Sequence, residues 1–359
     1  MQNENSRNTI IFFVCAALIM GVYYFMVMRP QAEMRRQAQV VAAEQKLATS
    51  DAGASTASRP EAFVTDRAQA LGAAVRVPIQ TPKLKGSLSL QGARIDDLYL
   101  TDYKETLDKN STPVELFRPQ GMEHAYFAQF GWSGPNVAGG VPGPNTAWSL
   151  TKGATLTPTT PVELTWDNGA GLRFTRVIAV DAQYVFTVTD TVANLSGQPI
   201  TIAPYGRVER QGVPADLGKQ MILHEGAIGT FGANGKFATE QVKYKDWAKK
   251  PRIENQSTGG WLGITDKYWM AALIPDQKET IEGRFAVRDP EGLNVHEAAM
   301  LGATRTIQPG RQIEETQRLF AGVKRNEILA GYEKSLDLPR FIYAIDWGHL
   351  FFLTRPIFM

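Results

Sequence analysis

Two histidines stand directly beside glutamates: Glu123 precedes His124, and Glu225 follows His224. An imidazole next to a carboxylate is the raw material of a proton-transfer dyad, such as a sugar-handling sandwich would use. Adjacent residues on a strand point to opposite faces, however, so neither pair acts as a unit unless the chain bends there. Other chemistry is excluded more simply. The four histidines are all more than five positions apart and there is one cysteine, so neither a short-spaced metal motif nor a disulfide framework is present. The series Gly226, Gly229, Gly232, Gly235 ends in Lys236-Phe237 rather than the Lys-Ser/Thr of a phosphate loop, and it sits among turn signals. No Gly-x-Ser-x-Gly elbow occurs. These residues assign no catalytic group, no metal ligand and no cofactor.

Two aromatic runs remain. Tyr126 to Trp132, and Trp261 with Tyr268 and Trp269, either line a groove for a peptide or sugar or belong to a sandwich core. Lys and Arg number 38 against 36 Asp and Glu, a net charge of +2 that marks no nucleic-acid partner. Hydrophobic residues make up 43% of the 359, ample for a folded body.

The elements that must position these residues change character along the chain. Thr9 to Met28 are twenty residues without a charge, about 30 Å of helix and enough to span a bilayer. Their end, Phe25 to Pro30, has no small-residue cleavage site, which favours a transmembrane anchor over a cleaved signal peptide. Residues 1–8 then form a cytoplasmic tail. Arg7 lies before the anchor and Arg29, Arg35 and Arg36 lie after it, a count that taken alone puts the large part in the cytoplasm. Residues 29–80 read as a flexible linker: from 31 to 80 there are thirteen alanines and one aromatic, Phe63, too little apolar surface to offset the entropy of ordering.

From Thr81 the texture becomes short alternating runs broken by turns. Tyr184, Phe186, Val188 and Val192 share one face of a strand. Ile281, Gly283, Phe285 and Val287 alternate with Glu282, Arg284, Ala286 and Arg288, which predicts one buried and one wet face. Turn signals such as Asp167-Asn168-Gly169 and Ala233-Asn234-Gly235 recur, and residues 81–323 are expected to form one large antiparallel β-sandwich. An amphipathic helix over 324–338 follows, with Ile328, Leu329, Tyr332 and Leu336 on the sandwich side and Lys324, Arg325, Glu327, Glu333 and Lys334 opposite. Residues 340–359 are strongly aromatic and apolar. They read as an interfacial helix over 339–350, apolar side down, and the start of a second span over 351–359, with a tail folded onto the sandwich as the alternative. Tyr343, Trp347 and Arg355 are the membrane-interface candidates.

Three stretches carry a resemblance. Gly86 to Leu98 is similar to the opening of the periplasmic domain of the YidC insertases of Gram-negative bacteria; Ala128 to Trp132 resembles that family's Phe-Gly-Trp site; and Ile345 to Phe358 resembles its approach to the second transmembrane helix. The resemblance implies a mainly β chain: a twisted sandwich related to galactose mutarotases, with C-terminal amphipathic helices, held on the periplasmic side of the bacterial inner membrane by the first helix. That outweighs the arginine count, because a long domain follows the anchor. It also implies insertion of newly made membrane proteins, alone or beside the Sec translocon. The partners would then be the lipid bilayer, nascent membrane proteins and Sec subunits. The family's inserting bundle, with an intramembrane arginine in a polar groove, would lie beyond Met359, and Arg355 would not be that arginine. Two other readings stay open: an anchored carbohydrate-binding or mutarotase-like sandwich, and an anchored adaptor or chaperone gripping extended chains.

Overall fold

The computed structural model describes residues 63–108, 110–214, 217, 223–288 and 293–346. The anchor over 9–28, the tail over 1–8, most of the linker, and Trp347 and Arg355 lie outside them. Among the described residues no helix is long and apolar enough to cross a membrane.

Two antiparallel sheets face each other. The ten-stranded sheet runs, edge to edge, through β1 (Arg76–Gln80), β2 (Leu84–Ser89), β3 (Arg94–Lys104), β5 (Tyr126–Ser133), β10 (Ile200–Gln211), β17 (Val295–Gly302), β16 (Thr280–Arg288) and β13 (Arg252–Thr258). To it β4 (Pro113–Phe117) adds on β3, and β18 (Arg305–Ile307) on β10. The nine-stranded sheet follows the order β12 (Lys236–Lys243), β11 (Gly226–Ala233), β14 (Trp261–Thr265), β15 (Trp269–Ile274), β19 (Gln312–Val323), β9 (Val185–Asn194), β8 (Leu172–Val180), β7 (Val162–Asp167) and β6 (Ser149–Lys152).

The period-2 pattern explains the core. Phe186, Val188 and Val192 of β9, with Phe174 and Ile178 of β8, point inward against Val208, Phe130 and Trp132 of the other sheet. Among the polar contacts that join the two sheets, one buried group stands out by its number of bonds. Arg176 on β8 donates Nε and Nη2 to both oxygens of Asp190 on β9, each at 2.7 Å, and Nη1 to the Phe130 carbonyl at 2.9 Å. The Trp132 indole N–H completes the set at 2.8 Å from Asp190. Burying such a pair carries a large desolvation cost, which the bonds to its oxygens and N–H groups from both sheets offset.

Three expectations need correction. The linker does not run to residue 80: Asp66 caps a short helix, Arg67–Gly72, and β1 opens at Arg76. Arg67 pairs with Asp97 and Glu115, and Val77 and Ile79 are fully buried, so this stretch finds apolar and ionic partners that its composition did not suggest. The outer face of β16 is not wet, since Arg284 is buried against Glu297. The described part of the expected interfacial helix is a single 3-10 turn, Phe341–Ala344, and its apolar side chains Phe341, Ile342 and Ala344 enter the core of the sandwich rather than facing lipid. The helix Asn326–Ser335 lies inside the expected range, with Leu329 fully buried.

Two glycines make the packing testable. A Cβ on Gly322 of β19 would lie 2.2 Å from the Tyr184 ring, whereas one on the helical Gly331 would meet nothing within 4 Å. Gly322→Ala is therefore expected to lower stability by about 1–3 kcal/mol through overpacking. Gly331→Ala should raise it by roughly 0.5–1 kcal/mol through helix propensity. Chemical denaturation of the two variants checks both signs.

Candidate functional site

The chemistry-bearing side chains gather where the chain leaves the sandwich. β19 ends at Val323, opposite Trp269 of β15, and the Lys324 N–H donates to the Tyr268 carbonyl at 2.9 Å. The helix Asn326–Ser335 then lays Leu329, with Ile328, Tyr332 and Leu336, on the core. Its Tyr332 hydroxyl donates to Asp181 at 2.6 Å and accepts the Tyr184 N–H at 3.1 Å. Past the helix, Glu333 accepts the Ile342 N–H at 2.9 Å, and the Trp261 indole N–H donates to the Pro339 carbonyl at 3.0 Å. The Phe341 ring packs edge-on against Trp261 at 5.1 Å and Phe320 at 5.4 Å. These contacts leave the chain at Asp346, whose carboxylate accepts the His224 N–H at 2.9 Å.

Electrostatics concentrate at the same place. His224 sets Nε2 2.8 Å from the Ala227 carbonyl, and burial pushes its imidazole down to about 4 despite that bond and the nearby Asp346. Burial likewise pushes Lys324 down to about 8, with Asp266, Asp346 and Glu225 pulling the other way. Asp266 also holds Arg210 at 2.5 Å, and the Arg210 guanidinium lies 4.7 Å over the Tyr126 ring. Sequence reading put Lys324 on the wet side of a helix. The structure places it before the helix begins, in the electrostatic field of Asp266, Asp346 and Glu225.

A second cluster occupies the face of the ten-stranded sheet turned away from the core. Glu209 of β10 and Glu297 of β17 are directly opposite in register, a repulsive placement. Arg288 bridges them at 3.0 and 3.3 Å, Arg284 holds Glu297 at 2.7 Å, and Arg207 donates to Gln129 at 2.6 Å. Burial raises the Glu209 carboxyl above its usual range. For Glu297 burial acts the same way, but Arg284, Arg207 and Arg288 outweigh it and hold the carboxyl below that range. The alternation along β16 is legible in the sequence, but it reads equally as a solvated face.

The predicted site residues divide. Tyr126, Trp132 and Trp261 are core side chains, at most 3% exposed, and do not line an open groove. Tyr268 and Trp269 stay at the surface, exposed and half-buried respectively. Tyr343 is half-buried beneath the Arg340 guanidinium, 4.3 Å from its ring centroid. The Glu123–His124 pair escapes the strand argument because His124 has φ 59° in a turn, and it sits 3.7 Å apart with both side chains more than half exposed. Among the described residues no group of three or more His, Cys, Asp or Glu converges as metal ligands would.

Two facing antiparallel sheets closed by a helix and a 3-10 turn define the class, a large twisted β-sandwich domain. The chain belongs to the YidC family: the family model of the YidC periplasmic domain matches residues 76–359. Its large domain is thus a periplasmic domain of an inner-membrane protein. The membrane protein insertase YidC of Caulobacter sp. (strain K31) is 45% identical over 390 residues, covering 100% of this chain and 61% of the relative. That of Maricaulis maris is 40% identical over 355 residues, covering 98% and 59%. The chain therefore spans about three fifths of the length of the curated relatives it matches. Among solved structures, a galactose mutarotase-related enzyme from Lactobacillus acidophilus overlaps 69% of this chain and 97% of its own at 9% identity and a TM-score of 0.44. A putative aldose 1-epimerase from Escherichia coli K12 overlaps 69% and 98% at 12% identity and a TM-score of 0.43. Likeness at this level is no guide to chemistry.

Two outcomes follow. Removing the carboxylate in Glu297→Ala leaves the buried Arg284 without its 2.7 Å partner and should cost about 3–5 kcal/mol in denaturation midpoints converted to free energy. The Lys324 and His224 shifts fix the direction of two pH effects. Lys324 ionises at about 8 in the fold and near 10.4 unfolded, so the unfolded state binds more protons between those values and stability rises with pH across them. His224 ionises at about 4 in the fold and near 6.5 unfolded, so its contribution is lost as pH falls from about 6.5 to 4. Lys324→Met should be more stable than the natural chain at pH 7, with a smaller gain between pH 8 and 10. Guanidinium titrations at the three pH values read this directly.

Proposed function

We propose that this chain is the membrane-anchoring and periplasmic part of an insertase that helps newly synthesised inner-membrane proteins into the bilayer, alone or beside the Sec translocon. One observation carries the reading: 45% identity along the full chain to a protein named a membrane protein insertase. The geometry at Asp346 supports it, because a bonded, packed exit is what a domain needs in order to hand a spanning segment to the membrane at a defined place. In this reading residues 9–28 anchor the chain and residues 1–8 lie in the cytoplasm. The stretch ahead of Arg67 tethers the domain, Trp347 and Arg355 join Tyr343 at the interface, and 351–359 begin the second span. The inserting bundle belongs to the part of the relatives that this chain does not cover.

The role of the β domain is non-enzymatic. His224 spends its Nε2 on the Ala227 carbonyl, and the Glu123–His124 pair stands in solvent beyond hydrogen-bond distance, so neither dyad is set to move a proton on a bound substrate. The domain serves instead as a rigid platform and a contact surface for emerging chains or Sec subunits.

Photo-crosslinkable residues at the exposed positions Val75, Leu150 and Tyr268, in cells making the whole gene product, test this. Adducts to nascent membrane proteins or to Sec subunits are expected. Absence of both from every position while insertion proceeds would remove the domain from the process.

A further inference from the structure

The end of the sandwich from which the chain exits carries an unusual rim. β19 pairs with β9 from Gln312 opposite Ala193 to Phe320 opposite Val185, so the Asn194–Leu195 turn and the Val323–Lys324 exit mark opposite ends, roughly 35 Å apart along the strand. At the exit end, Tyr103 closes β3, and its ring meets Trp269 edge-on at 5.2 Å. Tyr268 packs on Trp269 at 5.8 Å and carries the Lys267 ammonium 4.6 Å over its own ring. Arg325 pairs with Glu327 at 3.5 Å and lies in the electrostatic field of Tyr103. Four residues past Tyr103, in the hairpin loop between β3 and β4, Leu107 is fully exposed, and Tyr268 is more than half exposed. Ring faces with polar edges, flanked by long cations and capped by a bare leucine, are costly to leave in water and match the headgroup layer of a bilayer, where such rings and cations concentrate.

What covers this rim is indicated by continuity. The Tyr268 carbonyl accepts from Lys324, Lys324 lies within the field of Asp346, and Trp347 to Met359 follow with an apolar, ring-rich sequence. A rim built around the point where such a segment departs faces the same surface that the segment enters. We propose that Tyr103, Leu107, Lys267, Tyr268, Trp269 and Arg325 form a lipid-docking surface that seats the periplasmic domain on the outer leaflet of the inner membrane. The inference rests on the reading that residues 351–359 enter the bilayer. Docking holds the exit end down and turns the Leu195 end away, into the periplasm.

The test uses the full chain with Cys15→Ala and one labelling site at a time: Leu107→Cys, Tyr268→Cys, Leu195→Cys or Phe352→Cys. Each carries an environment-sensitive nitrobenzoxadiazole label. The labelled chains are reconstituted in phosphatidylethanolamine–phosphatidylglycerol vesicles containing lipids with a quencher high on the acyl chain. Labels at 107 and 268 are expected to shift to the blue and to be quenched several-fold more than the label at 195, which is similarly exposed at the opposite end. If 352 is quenched while 107 and 268 behave like 195, the docking surface is overturned and the membrane reading stands. If 352 is not quenched either, both fall. A blue shift at 107 and 268 that depends on protein concentration and not on lipid quencher assigns the rim to a second copy of the chain and overturns lipid docking.

Discussion

A guanidinium and a carboxylate buried between two sheets are tolerated only when nearly all their hydrogen-bonding capacity is used, and Arg176 and Asp190 meet that condition by drawing on both layers. Phe130 and Trp132 come from one sheet, Arg176 and Asp190 from the other, and the set closes only at one relative placement of the two. Apolar side chains alone would let the sheets slide at modest cost, because dispersion contacts are interchangeable. Directional bonds are not. The remainder of the molecule is arranged around that placement, including the inner faces on which Phe320 and Trp261 wait for Phe341.

The Phe341 turn extends the same logic to the end of the domain. Once its ring is seated between Trp261 and Phe320, the chain can travel only a few residues before Asp346, and the His224 N–H meets it there. The exit is thus over-determined by packing, by a backbone bond and by the fields around Lys324. The charge cluster of Arg207, Glu209, Glu297, Arg284 and Arg288 stiffens the outer face of the ten-stranded sheet through bonds that no alternative register would reproduce.

Much of the architecture could be read from residue order. Alternation in residues 184–192 and 281–288 named strands because the pleat allows only a period of two, and recurrent Asn-Gly turns bounded the strands of the sandwich. The helix after Val323 was visible in the spacing of Ile328, Leu329, Tyr332 and Leu336. Composition misled at the boundary near Arg76, since an alanine-rich stretch with few rings looks unable to order itself, yet Val77 and Ile79 needed only a sheet edge to cover them. It also misled at Phe341 and Ile342, where an apolar run of this kind has the same pattern whether its partner is lipid or the inside of a sandwich.

That a β domain follows a long uncharged stretch and precedes a ring-rich one was settled by linear order and hydrophobicity, which are local quantities. Which aromatic rings are core and which are surface was not, because Trp132 and Trp269 differ only in what other strands bring beside them. Nor could residue order say that Lys324, Asp266, Asp346 and His224 share one corner, or that Arg288 stands between two opposed glutamates. Those are distances between residues from nine to over a hundred positions apart, and only the pairing of strands into two facing sheets makes them short.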